Sequence, residues 1–347
     1  MENRKELILK EVVDQYIQTG NPVSSQILLE EYDLSLSSAT IRNDMHALEQ
    51  EGYLQKPYTS GGRIPTLKGY RYFVDWLIEL SELSTEERKE IVNTYEFQRR
   101  DAEKLLRLTA MLLANITGYA GLVMAPNLEE AELENVTLVK LDQHHLMVIF
   151  VTEWGLVDNR IIQLDKEIPD PELNQISQML NEKLRGRKLK EMNNLEKLNL
   201  EEGGWYDKLM RDSLLVVKEF LEEQLDRRLF FEGTLNLLES LENDTEEELS
   251  QLRKMLTCVH DQQWLTEIIE NTSSSQNKRI RAVVGIEAGK DTLDYSLIAK
   301  RLTGCSSAIG VVGPVRMNYG RSFSAVQYIG NRLETLLNAG NNIPSRN

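Results

Sequence analysis

The sequence predicts an α+β multidomain chain that opens with a winged helix-turn-helix. Three observations carry that expectation. The stretch from Pro22-Val23-Ser24-Ser25 through Ser38-Ala39-Thr40-Ile41-Arg42-Asn43-Asp44 to Gly52-Tyr53-Leu54 sets two short helices around a polar break. A basic, glycine-tipped hairpin follows, Lys56-Pro57-Tyr58-Thr59-Ser60-Gly61-Gly62-Arg63-Ile64-Pro65. Beyond it, strand-like runs with short connections alternate with helical patterns.

The elements follow in order. Leu7, Ile8, Val12, Val13 and Ile17 recur at helical spacing, and Gly20-Asn21-Pro22 stops that helix. Ser24 or Ser25 can cap the next helix, which carries Ile27, Leu28 and Leu29, and Asp33 to Ser37 forms the turn. The third helix runs from about Ser38 to Gln50, with Ile41, Met45 and Leu48 facing inward. Tyr53 to Lys56 reads as a wing strand, Gly61 and Gly62 supply the positive backbone angles of the tip, and Ile64 returns the chain. Pro65-Thr66 then starts a helix through Leu80, and Ser81 to Thr85 reads as a boundary. One long helix is expected over Glu86 to Ile116, and a first core strand over Ala120 to Pro126. Val136 to Leu141, Leu146 to Val151 and Asn159 to Leu164 form an antiparallel meander. Helical patterns cover Pro171 to Leu184, Leu189 to Leu198 and Tyr206 to Leu225. In the last part, Arg281 to Ile286 and Ala308 to Val312 read as strands and Phe323 to Leu337 as a helix. Asn271 to Asn277 is a loop of turn formers, and Thr292 to Leu302 is ambiguous, strand-like at its start and helix-like at its end.

Composition narrows the function. The chain has 347 residues, 41% hydrophobic and 27% charged, ordinary for a globular protein of about two to three domains. It holds no apolar run of about 18 residues and no secretory pattern at its start, so neither a membrane span nor a signal peptide is expected. Two cysteines, Cys258 and Cys305, make no disulfide framework and suit a reducing cytoplasm. The net charge of −15 argues against wholesale coating by nucleic acid, so any DNA contact must be local. Lys56, Arg63, Lys68 and Arg71 lie between Gly52 and Val74 with no acid among them, whereas Glu6, Glu11, Asp14, Glu30 and Glu31 sit on the earlier helices. One face can meet phosphates while the rest stays in solvent.

The third helix carries the candidate reading face. Ala39, Asn43, His46 and Gln50 point away from the packing side, with Thr40 and Arg42 on the flanks. Small residues at its start, Ser38, Ala39 and Thr40, permit close approach to a duplex, and their N–H groups bring the positive end of the helix dipole to a phosphate. Arg42 can reach a phosphate or a guanine edge, and Asn43 can pair with adenine. Against this, Ser38 can be only a cap and Arg42 only a partner for nearby acids. Arg63 is the wing residue expected to enter a minor groove or grip a phosphate. Lys68 and Arg71 suit backbone contacts, and Tyr58 either lies on the sugar-phosphate backbone or packs under the wing. No catalytic constellation, zinc pattern, phosphate loop or dinucleotide fingerprint stands out, so neither an enzymatic role nor a cofactor is expected. Gly310-Val311-Val312-Gly313-Pro314 reads as a strand-to-turn junction.

Taken together, Ser37-Ser38-Ala39-Thr40-Ile41-Arg42-Asn43-Asp44-Met45, Leu48-Glu49, Thr59-Ser60-Gly61-Gly62-Arg63-Ile64-Pro65-Thr66 and Gly69-Tyr70-Arg71 closely resemble the HrcA family of bacterial heat-inducible transcription repressors. Gly313-Pro314-Val315-Arg316-Met317-Asn318-Tyr319, followed by Val326 and a terminal helix, matches near the other end, so the resemblance covers nearly the whole chain. Gly61 stands where the family often has alanine, which leaves the wing assignment intact. The resemblance implies a winged helix over 1–80, a discontinuous GAF-like α/β domain over 86–129 and 227–340, and an inserted α+β dimerising domain over 130–226. It implies a homodimer that binds the CIRCE inverted-repeat operator of chaperone operons and is kept active by the GroEL chaperonin. Two other readings stay open. The GAF-like domain could take a small-molecule effector, or the winged helix could serve protein interaction alone.

Overall fold

The computed structural model describes residues 3–32, 36–57, 62–96, 102–126, 131–155, 157–164, 167–191, 229–241, 245–271, 280–288, 291–303 and 307–339. The amino-terminal unit comprises three helices and a two-stranded hairpin: α1 (Asn3–Thr19), α2 (Ser25–Glu31), α3 (Ser38–Gln50), β1 (Leu54–Gln55) and β2 (Ile64–Pro65). Ile8, Leu9, Val12 and Val13 of α1 bury against Leu28, Ile41, Met45, Leu48 and Leu54, so the inward face read from the sequence is the packed one. Ser24 caps α2 by accepting from the Ile27 N–H. Ser37, not Ser38, caps α3 by accepting from the Thr40 N–H. Gly52 stops α3 at φ +78°, a backbone that only glycine adopts without strain. Gly62, expected to turn the hairpin at positive φ, is instead a close-approach residue. A Cβ there would overlap the Val23 carbonyl and come within 2.7 Å of the Pro22 carbonyl carbon.

α4 (Leu67–Tyr72) is capped by Thr66 and continues as a π-turn over Phe73–Leu77, ending short of the expected Leu80. The one long helix expected over 86–116 is two helices, α5 (Thr85–Glu96) and α6 (Ala102–Thr117). In a straight helix Tyr95 and Thr109 would stand about 21 Å apart. Their hydroxyls instead meet at 2.8 Å, both buried, so α5 and α6 pack against each other rather than continuing as one helix.

A five-stranded antiparallel sheet forms the larger body, in the order β7-β3-β10-β9-β8. Its strands are β3 (Ala120–Met124), β7 (Leu229–Glu232), β8 (Ile280–Ala288), β9 (Asp291–Arg301) and β10 (Ala308–Pro314). On one face lie α6 and α11 (Tyr319–Ala339). On the other lie α8 (Thr234–Glu239), α9 (Glu246–His260) and α10 (Gln262–Asn271). Alternate residues of β3 and β10 therefore enter different cores. Val123, Ile309 and Val311 join one, while Ala120, Leu122, Met124, Ala308 and Val312 join the other. Burial on both faces explains why these strands read as continuous apolar runs. β9, ambiguous in sequence, is strand throughout because it is paired on both sides, by β8 and β10.

The expected meander is a separate antiparallel sheet, β4 (Leu133–Lys140), β5 (His145–Thr152) and β6 (Val157–Gln163), backed by α7 (Asp170–Leu184). Asn181 of α7 ties the two layers, accepting from the Val136 N–H and donating to the Val136 carbonyl. A short 3-10 turn occupies 189–191; the rest of the helical pattern to Leu198, the pattern over 206–225 and the loop over 272–277 lie outside the described residues. Among the described residues, no helix is long and apolar enough to cross a membrane.

Candidate nucleic-acid interface

The polar face of α3 is open. Ser38, Ala39, Arg42, Asn43, His46 and Gln50 are exposed, and Thr40 is half-buried beside the Ser37 cap. Among the described residues, no acid pairs with Arg42. The Ser25 and Ser38 hydroxyls lie 3.3 Å apart, which sets the starts of α2 and α3 together. Behind the face, α1 holds α3 by charge. Arg4 donates through Nε and Nη2 to the buried Asp44 carboxylate at 2.6 and 3.0 Å, and Lys5 reaches Glu51 at 2.7 Å. Sequence reasoning left Asp44 unexplained, because its partner lies 40 residues earlier on another helix.

The basic residues fall into different settings. Arg63, expected at the wing tip, directly precedes β2 on the loop side of the two-strand ladder. It shares reciprocal backbone hydrogen bonds with Val23, at 2.7 and 2.9 Å. Its Nε and Nη2 lie 2.9 and 2.8 Å from one carboxylate oxygen of Glu49, and its side chain is 13% exposed. Lys56 and His46 approach the same carboxylate at 3.6 and 3.4 Å. Partial burial pushes the Glu49 carboxyl up, but the His46 hydrogen bond and the Arg63 and Lys56 charges outweigh it and hold the group below its usual range. Lys68 donates to the Glu51 carbonyl and lies 4.2 Å from the centre of the Tyr53 ring. Arg71 faces elsewhere, donating through Nε to the Val284 carbonyl of β8 at 2.9 Å. Its expected role on a DNA backbone meets a side chain already bonded to the larger sheet. Tyr58 and Gly61 lie outside the described residues.

His144 lies in the exposed turn between β4 and β5 and His145 opens β5, with Asp142 accepting from both of their backbone N–H groups. Among the described residues, no cluster of histidine, cysteine and carboxylate side chains could hold a metal ion.

An open helix face beside a basic hairpin, with a larger α/β body behind it, fits the class of the transcription repressors, and similarity assigns the chain there. Residues 103–323 match the family described as HrcA protein C terminal domain. The Heat-inducible transcription repressor HrcA of Halalkalibacterium halodurans is 32% identical, covering 96% of this chain and 97% of its own. The same-named proteins of Pelotomaculum thermopropionicum and Corynebacterium jeikeium are 30% and 33% identical, each covering 97% of this chain. A crystal structure of a hypothetical protein at 2.2 Å resolution superposes with a TM-score of 0.63 and 27% identity, covering 98% of this chain and 99% of that one. The chain belongs to the HrcA family.

Proposed function

We propose that this chain is a dimeric repressor of chaperone operons that binds the CIRCE inverted repeat, with α3 as the recognition helix of a winged helix-turn-helix. The carrying observation is the exposed polar face of α3, with Arg42 and Asn43 at its first turns. A helix of this kind fits the major groove, where bidentate side chains distinguish base pairs. The remaining body divides, on this reading, into the GAF-like domain over 86–129 and 227–340 and the dimerising insert over 130–226.

A two-fold operator requires a two-fold protein. The β4-β5-β6 sheet supports a pairing surface there. One face packs on α7, while the opposite face presents Val139, Val157 and Ile161, exposed by 38%, 62% and 58%, around half-buried Met147, Ile149 and Val151. An apolar sheet face of this kind gains from burial against a second copy. The protein acts in the cytoplasm without cofactor or catalysis, and the GroEL chaperonin keeps it in its active form.

The test is a salt-dependent titration on a CIRCE duplex and a scrambled duplex, with and without chaperonin. Specific affinity at least about a thousandfold above the scrambled control is expected, with a larger active fraction when chaperonin is present. Equal, weak and steeply salt-dependent binding to both duplexes would refute sequence reading. One observation favours effector control as a second reading. A cleft of about 610 Å³ lies between the hairpin and α4 on one side and Tyr295, Gln251 and Arg316 on the other. A metabolite that raises the melting temperature and alters operator affinity together would favour it.

A further inference from the structure

Glu49 is out of place on electrostatic grounds. It is the penultimate residue of α3, where the carbonyl end of the helix disfavours an anion. It stands two turns beyond Arg42 on the same side of the helix, where DNA phosphates would repel it. Yet three basic groups converge on its carboxylate: Arg63 with two nitrogens on one oxygen, Lys56 on the other, and His46 one turn back. Lys56 follows β1 and Arg63 precedes β2, so the carboxylate spans both legs of the hairpin. Arg63 is also bonded through its backbone to Val23, just ahead of α2. Gly62 makes that approach possible, since any side chain would strike the Val23 carbonyl.

We propose that Glu49 is the positioning residue of the DNA-reading unit: its carboxylate fastens both legs of the hairpin to α3, so that helix and hairpin meet the operator as one rigid body. Arg63 on this reading is a clamp rather than a groove contact. Its guanidinium is already spent on Glu49, and rigidity lowers the ordering cost that binding otherwise incurs. The inference rests on the DNA-reading function proposed above and adds to it the element that fixes the geometry.

The sign of one substitution decides it. Glu49→Gln removes a negative charge from a DNA-facing surface. Were Glu49 a bystander, the variant would bind every duplex as tightly as the parent or more tightly. A positioning role gives the opposite: operator affinity falls about tenfold, the scale of a lost charged hydrogen bond, while affinity for a scrambled duplex does not fall. Arg63→Lys, which keeps the charge but loses the fork, shows the same selective loss. Both are measured on full-length protein by titration against an inverted-repeat and a scrambled duplex. Amide hydrogen exchange without DNA supplies a second readout, with faster exchange at Arg63 and Thr66, whose N–H groups donate to the Val23 and Tyr53 carbonyls, in the variants. A discriminating parent with an equally tight or tighter Glu49→Gln variant overturns the clamp alone. A parent that does not discriminate between the duplexes overturns the DNA-reading function, and the clamp with it.

Discussion

Lys300→Met is expected to destabilise the larger body by about 3–5 kcal/mol, the range for removing one partner from a buried ion pair. Lys300 lies on β9, the strand between β8 and β10, and Glu334 lies on α11. Their side chains are 5% and 11% exposed, and Nζ stands 2.8 Å from Oε2. The other carboxylate oxygen accepts from the N–H and hydroxyl of Thr303. Methionine keeps most of the buried stem and deletes only the ammonium, leaving a carboxylate in a dry site with Thr303 as its remaining support. Burial alone pushes the Glu334 carboxyl up; the Lys300 hydrogen bond and the Thr303 donors outweigh it and hold it below its usual range. A group whose folded value is depressed stabilises the fold above its unfolded value, about 4.3 for glutamate. That contribution is lost as pH falls through the lower folded value. In the variant burial prevails, so acid relieves the stranded carboxylate. The penalty should therefore be full while the variant's carboxylate stays ionised, begin to shrink as pH falls through the variant's raised value, above about 4.3, and go on shrinking through the parent's depressed one. Urea denaturation of parent and variant across this range measures it. A Lys300→Met/Glu334→Leu double variant should recover part of the loss, because partners in contact couple by about 0.5–3 kcal/mol. A neutral-pH penalty under about 1 kcal/mol, as for an exposed pair, or one that grows on acidification, would refute the reasoning.

Arg42→Ala should leave melting within about 0.5 kcal/mol of the parent while weakening operator binding by about 1–3 kcal/mol; unchanged affinity would remove Arg42 from the reading face. Arg71→Ala should lower stability by about 0.5–1.5 kcal/mol through its lost bond to β8 and leave the salt dependence of DNA binding unaltered. A decrease of about 0.9 in that slope would instead mark a phosphate contact. Gly69→Ala should destabilise the amino-terminal unit by about 1–3 kcal/mol, since its Cβ would overlap the Tyr53 carbonyl in a helix turn packed against the hairpin; an unchanged melting temperature would show that the turn can shift.

Much of the fold was legible because its signals are local. The bounds of α3 follow from a serine cap, one apolar face and Gly52. The meander follows from three strand-like runs joined by short connections, and β3 and β10 from short apolar runs. The division into α5 and α6 left no such mark. The charged residues from Glu96 to Lys104 favour helix as well as turn, and the deciding contact joins Tyr95 to Thr109 only after folding. The second half of β9, Leu-Ile-Ala-Lys-Arg, suits a helix by propensity, but pairing on both sides overrides it. At the candidate interface the open face of α3 could be read directly. The setting of the cations could not: Arg63 meets Glu49 across 14 residues, and Arg71 meets Val284 across 213.

The pairing of β3 with β10 also sets a timetable. Ala120 to Val312 joins residues about 190 positions apart, with the meander in between. At roughly 5–20 residues per second, synthesis separates the two strands by about 10–40 s. Throughout that interval β3 has emerged without the neighbour that occupies the centre of its sheet, and its five residues, all buried in the finished protein, face water. Local contacts can form α6 and the meander meanwhile, but the sheet core closes last. Each newly made molecule thus passes through a long window in which apolar side chains and unpaired backbone are open to whatever in the cell binds unfinished chains.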